Sequence, residues 1–223
     1  MISVSSREEE VREATHGVAQ FAKGDSIYHQ GDVANQWFEV VSGMVRTCRF
    51  MADGHRQLTG FYYSGDVFGV DGHRRCESAE AVTDVVVRRS PISIPGDGMD
   101  DAPQPFERAL ESARRSIFLF GHRTATNRVA AFLIEVAQRS ELAVGVQLPM
   151  TRSDIADHLN LTLHTVSRTI RDFAKKGLIE LNGRQHLRIL DPTGLRRLAG
   201  DAADDGGEAR LLGHWTSASG VTQ

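Results

Sequence analysis

Between Met150 and Phe173 the apolar positions recur at helical spacing in two short blocks joined by a tight connection. Ile155, Ala156 and Leu159 share one face of the first block; Val166, Ile170 and Phe173 share one face of the second. Thr151 and Thr162 each stand just before a block, where a hydroxyl accepts from the unpaired N–H groups of a helix start. Asn160 sits where the chain must turn, and asparagine tolerates the left-handed backbone region better than most residues. Ala156 is small where the second helix would cross the first. This pattern predicts a helix-turn-helix. On the other face of the second helix His164, Thr165, Ser167, Arg168 and Arg171 crowd the first turns, the part of a recognition helix that meets base edges. Many surface helices carry a solvated polar face. Here the two caps, the turn residue and the hairpin that follows favour base reading.

Upstream the period shortens. From about Phe21 to Arg89, runs rich in β-branched and aromatic residues (SIYHQGD, WFEVVSGMVRTCRF, ADGHRQLTGFYYSGDVFGV, SAEAVTDVVVRRS) are punctuated by glycine turns. Many short strands with such turns predict a β-sandwich or β-roll. Asp53-Gly54 marks a hairpin. Residues 1–17 are charged and read as a frayed helix. Ser90 to Pro105 is a breaker-rich link. A helix follows from Phe106 to about Arg123, with Leu110, Ala113, Ile117 and Phe120 along one stripe. That stripe suits either a two-helix dimer seam or packing onto the chain's own β domain. A second helix, roughly Asn127 to Arg139, carries Val129, Ala130, Leu133, Ile134 and Ala137. After the helix-turn-helix, GLIELNGRQHLRIL turns at Asn182-Gly183 and makes the motif winged. The expected domains are a β-roll over 18–98, a dimerisation and connecting helix pair over 104–139, a winged helix-turn-helix over 142–200, and a disordered tail over 201–223.

Charge sharpens the picture. The net charge is −3 over 223 residues, but from Leu148 to Gly200 nine arginines and lysines stand against five acids, a surplus of +4 that leaves −7 elsewhere. A basic helix-turn-helix suits phosphate contact, with Thr151, Arg152, Thr162 and Arg184 added to the candidate DNA-binding set. No apolar run is long enough to span a bilayer and the N-terminus lacks a signal core, so a cytoplasmic protein with no membrane partner is expected. Two cysteines, Cys48 and Cys76, are too few for a disulfide framework or an all-cysteine metal site.

Together, VVSGMVRTCRFMADGHRQLTGFYYSGDVFGV, SAEAVTDV, NRVAAFL and MTRSDIADHLNLTLHTVSRTI resemble the CRP/FNR superfamily of bacterial transcription regulators, most like its FixK/FNR branch. The resemblance covers roughly residues 18 to 200. It implies an α+β fold: an N-terminal β-roll (a double-stranded β-helix like that of cyclic-nucleotide-binding domains), a long dimerisation helix and a C-terminal winged helix-turn-helix. It further implies a homodimer, most simply an activator, that binds a TTGA…TCAA palindrome in double-stranded DNA, works with RNA polymerase, and governs oxygen-responsive, respiratory or nitrogen-metabolism genes. The family's E-x-x-S-R motif falls on His164, Thr165, Val166, Ser167 and Arg168. Arg168 would read the G of TTGA, since arginine is the best bidentate donor to guanine. Ser167 would contact an adjacent base. His164 stands where the family has glutamate, which puts one base position in question.

In the sensor half, the stretch equivalent to the cyclic-nucleotide phosphate cassette is GVDGHRRCESAEAV. Val70 stands where the cassette glutamate would be and Glu77 where its arginine would be. A carboxylate repels a cyclic phosphate, so cyclic nucleotide is not expected to bind. Arg74 and Arg75 read as a solvated loop. The iron–sulfur sensor needs four cysteines and is absent from the pattern. Haem would need histidines such as His16, His29, His55 or His73, none paired at a diagnostic spacing; no cofactor or metal is expected. Cys48 reads as buried and inert. Cys76, beside two arginines, would favour a thiolate, making it a possible redox residue. Three alternatives compete: a cupin-type small-molecule binder or metalloenzyme, which would need a His-x-His cluster that does not occur; a member of the same regulator family gated by haem or another ligand; and an interaction protein that keeps only the fold. With no nucleophile motif, Walker loop or dinucleotide fingerprint, no enzyme is expected.

Overall fold

The computed structural model describes residues 17–54, 56–92, 103–121, 124–139, 146–183 and 185–200. They fall into two compact units, one ending at Ile117 and one beginning at Phe118.

In the first unit eight strands alternate inward apolar with outward polar residues. They are β1 (Gly17–Phe21), β2 (Ser26–Tyr28), β3 (Gln36–Ser42), β4 (Val45–Phe50), β5 (Arg56–Tyr62), β6 (Val67–Phe68), β7 (Ser78–Ala81) and β8 (Val85–Pro91). They form two antiparallel four-stranded sheets, ordered β1-β8-β3-β6 and β2-β7-β4-β5. This is the expected roll. Phe38 and Val40 on β3, Val85 and Val87 on β8, Val45 on β4 and Phe68 on β6 close its core. Tyr28, Phe38 and Phe68 stack there, with Phe38 and Phe68 at 5.1 Å between centroids. The β4–β5 hairpin turns at Gly54 as the sequence predicts, at φ +81°. Gly43 ends β3 at φ +87°, and a Cβ there would stand 2.2 Å from the Asp84 carbonyl oxygen, so only glycine fits.

Three expectations for this unit need correction. Strand β1 begins at Gly17 and pairs with β8 in the register Ala19↔Val87, so the run of strands starts before Phe21; residues 1–16, including His16, lie outside the described residues. The alternation in GVAQF is too short to stand apart from the charged segment before it. Arg75 is not a solvated loop residue. It is buried, donating from Nη1 to the Gly69 carbonyl and from Nη2 to the Gln36 carbonyl, each at 2.6 Å, with its guanidinium 4.3 Å from the Tyr28 ring centroid. Cys76 is not drawn toward a thiolate: partial desolvation, and then Asp71, push its thiol up. The neighbouring guanidiniums are engaged elsewhere, Arg74 on the Gly31 carbonyl and Arg75 in the roll. Cys48 is fully buried as expected.

Helix α1 (Pro103–Gly121) follows the link, of which residues 93–102 lie outside the described residues. Its prolines sit in the first turn, where a missing N–H costs no helical bond. Arg108 reaches back to Glu39 on β3 at 3.1 Å, and Arg88 on β8 bonds the same carboxylate. Phe106, Leu110 and Ala113 are exposed on α1, the first two at 50% and 52%. The side chains of Ile117 and Phe120 lie outside the described residues.

The second unit comprises α2 (Ala125–Arg139), β9 (Val146–Gln147), α3 (Arg152–Leu159), α4 (Leu163–Lys175), β10 (Ile179–Leu181), β11 (His186–Ile189) and α5 (Pro192–Ala199). Its core gathers Val129, Phe132 and Leu133 of α2, Ile155 and Leu159 of α3, Val166, Ile170 and Phe173 of α4, and Leu195 of α5. The strands form a small sheet in the order β10-β11-β9, the wing, with its turn at Asn182-Gly183 as expected. Asn160 ends α3 at φ 52° and ψ 53°, and is the single non-glycine residue at positive φ among the described residues. The amide of Leu161 then closes on the Ala156 carbonyl at 2.9 Å. The tail over 201–223 lies outside the described residues.

Two stability measurements check this account. Arg75→Ala leaves two buried carbonyls unmet and uncovers the aromatic stack, so it should cost about 3 kcal/mol in urea denaturation; an unchanged midpoint would mean that Arg75 is an incidental passenger. At Asn160, replacement by glycine should leave the thermal midpoint nearly unchanged, whereas valine should cost about 1–2 kcal/mol for holding a β-branched residue left-handed. Equal behaviour of the two variants would place the constraint elsewhere.

Candidate nucleic-acid interface

The interface is built from the helix starts. Thr151 caps α3, its hydroxyl accepting from the Asp154 amide at 3.1 Å while the Asp154 carboxylate accepts from the Thr151 amide at 3.0 Å. Thr162 caps α4, accepting from the Thr165 amide at 3.1 Å, and the Thr162 and Thr165 hydroxyls lie 2.8 Å apart. These three threonines, predicted as contact residues, are therefore already engaged in fixing where each helix begins. No acid stands in the first turn of α4, so its positive end is not neutralised.

Helix α4 is sharply two-faced. Val166, Thr169, Ile170 and Phe173 are buried. His164, Arg168 and Arg171 are exposed one turn apart on the opposite side, with Ser167 half-buried among them. The Arg171 Nε donates to the Ser167 carbonyl at 3.1 Å, which lays its guanidinium along the helix. The structure thus brings His164, Ser167, Arg168 and Arg171 onto one surface. Lys175 and Lys176 are exposed at the far end of the same helix. Leu163, which sequence reasoning passed over, is 51% exposed in the first turn beside His164. The signal was present: a leucine off the apolar stripe, directly after the cap.

Other candidates stand differently. Arg152 is half-buried at the start of α3, and desolvation lowers its affinity for a proton; it is not a free surface cation. On the wing, Arg188 pairs with Glu180 across the strands at 2.9 Å, so its charge is largely spent locally. Arg184 and His55 lie outside the described residues. His29 and His73 are exposed. Among the described residues no three His, Cys, Asp or Glu side chains gather as a metal site would, and no helix is long and apolar enough to cross a membrane.

Behind the surface, α2 fastens the motif. The Arg128 Nη1 donates to the Leu159 carbonyl at the end of α3 at 3.2 Å, and the Asn127 Nδ2 donates to the Leu198 carbonyl in the last turn of α5 at 2.6 Å. Two neighbouring side chains thereby satisfy the open carbonyl ends of two helices.

Comparison with known proteins agrees with this construction. Residues 18–94 match the family model of the cyclic nucleotide-binding domain, and residues 127–198 that of the Crp-like helix-turn-helix domain. The nitrogen fixation regulation protein FixK of Azorhizobium caulinodans is 37% identical over 207 residues, covering 87% of this chain and 84% of that protein. The transcriptional activator protein FnrA of Stutzerimonas stutzeri is 32% identical, covering 82% and 80%. Among solved structures, FixK2 from Bradyrhizobium japonicum superposes with a TM-score of 0.76 at 33% identity, covering 84% of this chain and 99% of that one. A CRP/FNR-family regulator from Thermus thermophilus gives 0.68 at 26% identity, covering 84% and 100%. With both halves matched in order and relatives above 30% identity aligned over most of their length, the chain belongs to the CRP/FNR family, in the branch of the FixK and FNR regulators.

Proposed function

We propose that this protein is a cytoplasmic transcription regulator, not an enzyme, that binds a TTGA…TCAA-type palindrome as a homodimer and, with RNA polymerase, activates oxygen-responsive, respiratory or nitrogen-metabolism genes. The observation that carries this reading is the set of exposed His164 and Arg168 with half-buried Ser167 between them, on a helix whose other face is buried. A helix so fixed presents its first turns to the major groove. Arg168 donates in a fork to guanine O6 and N7, and Ser167 reads a neighbouring position. His164 offers a ring donor or acceptor where the family's glutamate only accepts, so one base preference differs. Leu163 adds an apolar surface of the kind that meets a thymine methyl. Arg171, Lys175, Lys176 and the wing contact phosphate.

A palindromic site mirrors a two-fold protein, and α1 supplies the seam. Phe106, Leu110 and Ala113 recur at i, i+4 and i+7 on an exposed face, which a second copy of the helix would cover. Cyclic nucleotide does not gate the protein, because the half-buried carboxyl of Glu77 opposes a bound phosphate.

Arg168→Ala should weaken binding to the palindrome by about 1–3 kcal/mol per half-site and leave the melting temperature unchanged. A gel shift against the palindrome and a scrambled duplex, beside a thermal melt, reads this; undiminished preference for the palindrome would sink the assignment. Leu110→Glu should dissociate the dimer in sedimentation velocity and reduce DNA affinity with it. A dimer that survives the charge would place the seam on another surface.

A further inference from the structure

Arg128 stands apart from the surface cations of the second unit: it is half-buried, and its guanidinium bonds inward. Its backbone is held at the start of α2. The Thr124 hydroxyl accepts from the Asn127 amide at 3.1 Å and bonds the Asn127 Oδ1, and the Arg128 amide donates to the Thr124 carbonyl at 3.0 Å. Val129 and Ala130, the next two residues, are fully buried. From that fixed base the guanidinium reaches the Leu159 carbonyl, whose peptide leads directly into Asn160, left-handed at φ 52°. Beyond Asn160 the Leu161 amide closes on the Ala156 carbonyl at 2.9 Å. The peptide planes on both sides of Asn160 are therefore tied down. Thr162, the next residue, caps α4.

Apolar packing holds α3 and α4 together, but it is non-directional and does not by itself fix the angle at which α4 leaves the turn. A hydrogen bond to one particular carbonyl does. The lever is long. Arg168 stands six residues beyond the Thr162 cap, about 9 Å along the helix axis. Rocking by about 10° at the turn moves it by about 1.5 Å. That exceeds the tolerance of a bidentate bond, whose lengths span only about 2.7–3.2 Å. Asn127 supplies the contrast. From the same turn of α2 it makes a bond of the same kind, at 2.6 Å, to the Leu198 carbonyl, but α5 follows the wing and does not lead into α4. We propose that Arg128 is a positioning residue for base reading: by holding the peptide that enters Asn160 it sets the angle of α4, and with it the aim of Arg168, without itself touching DNA. The inference rests on the reading of α4 as the helix that meets the bases.

The test compares full-chain variants on the palindrome and on a scrambled duplex, well below each melting midpoint, so that every variant is folded when it binds. Arg128→Met keeps the stem and donates nothing; its preference for the palindrome should fall about tenfold, the size of one misread base pair. Arg128→Lys retains a donor and should recover most of that loss, and the ratio between duplexes cancels the change in charge. Asn127→Ala should lower the melting temperature and leave the preference unchanged. Native-state hydrogen exchange without DNA gives a second readout. In Arg128→Met the Leu161 and Thr165 amides should exchange about tenfold faster relative to the Leu190 amide, which bonds the Leu178 carbonyl away from the turn. An undiminished preference in Arg128→Met, no recovery in Arg128→Lys, or an equal loss in Asn127→Ala would overturn the proposal. A wild-type chain that treats the two duplexes alike would instead sink the DNA reading. The exchange rates then decide: unchanged ratios refute the role of Arg128 at the turn, and raised ratios uphold its hold there. Should Arg128→Met not fold, Arg128→Gln, too short to span to Leu159, takes its place with the same outcomes.

Discussion

The structure of the DNA-reading unit depends on one steric constraint: two short helices must cross closely with a connection of three residues. Isolated, an eight-residue helix such as α3 would not persist in water, because so few hydrogen bonds do not offset the cost of nucleation. It persists here because Ile155, Ala156 and Leu159 close against Val166, Ile170 and Phe173. That closure requires a backbone that reverses at Asn160 without a wasted residue. The caps at Thr151 and Thr162 then set where each helix starts, so the register of every side chain on α4 follows. Base reading needs such register, since a slip of one residue turns an exposed arginine by about 100° around the helix.

The roll obeys a different constraint. Its two sheets meet over aromatic rings, and a buried guanidinium completes the packing where an apolar residue would leave the Gly69 and Gln36 carbonyls unmet. In one of these sheets the half-buried Glu77 carboxyl accepts from the Thr59 hydroxyl, so the roll holds one charge on backbone carbonyls and another on a side-chain hydroxyl.

Much of this was legible in the sequence, and the reasons differ by region. The helix-turn-helix could be read because its signals are local: caps, a turn residue and a 3.6-residue period lie within two dozen positions. The β4–β5 hairpin and the wing turn were legible for the same reason, through Asp53-Gly54 and Asn182-Gly183. Strand β1 was not, since five residues of weak alternation acquire meaning only from their pairing with β8, some seventy positions away. Arg75 and Cys76 were misread because charge in sequence says nothing about direction. Two adjacent arginines suggest a positive loop, yet both guanidiniums bond backbone carbonyls and the thiol is left to Asp71. Leu163 was passed over because it belongs to neither the apolar stripe nor the polar face. The capping of α3 and α5 by Arg128 and Asn127 joins residues too far apart for any pattern to reveal.

The shared carboxylate of Glu39 has a consequence of its own. It holds Arg88 of the neighbouring strand and Arg108 of α1, and both guanidiniums are more than half open to solvent. Mobile ions compete for such contacts, with a screening length of about 8 Å at physiological salt and about 3 Å at molar salt. The aromatic stack feels no such competition, and salts that strengthen apolar association tighten it. The hold of α1 on the roll therefore weakens in brine while the roll itself does not, so the chain contains a joint whose stiffness is set by the surrounding electrolyte.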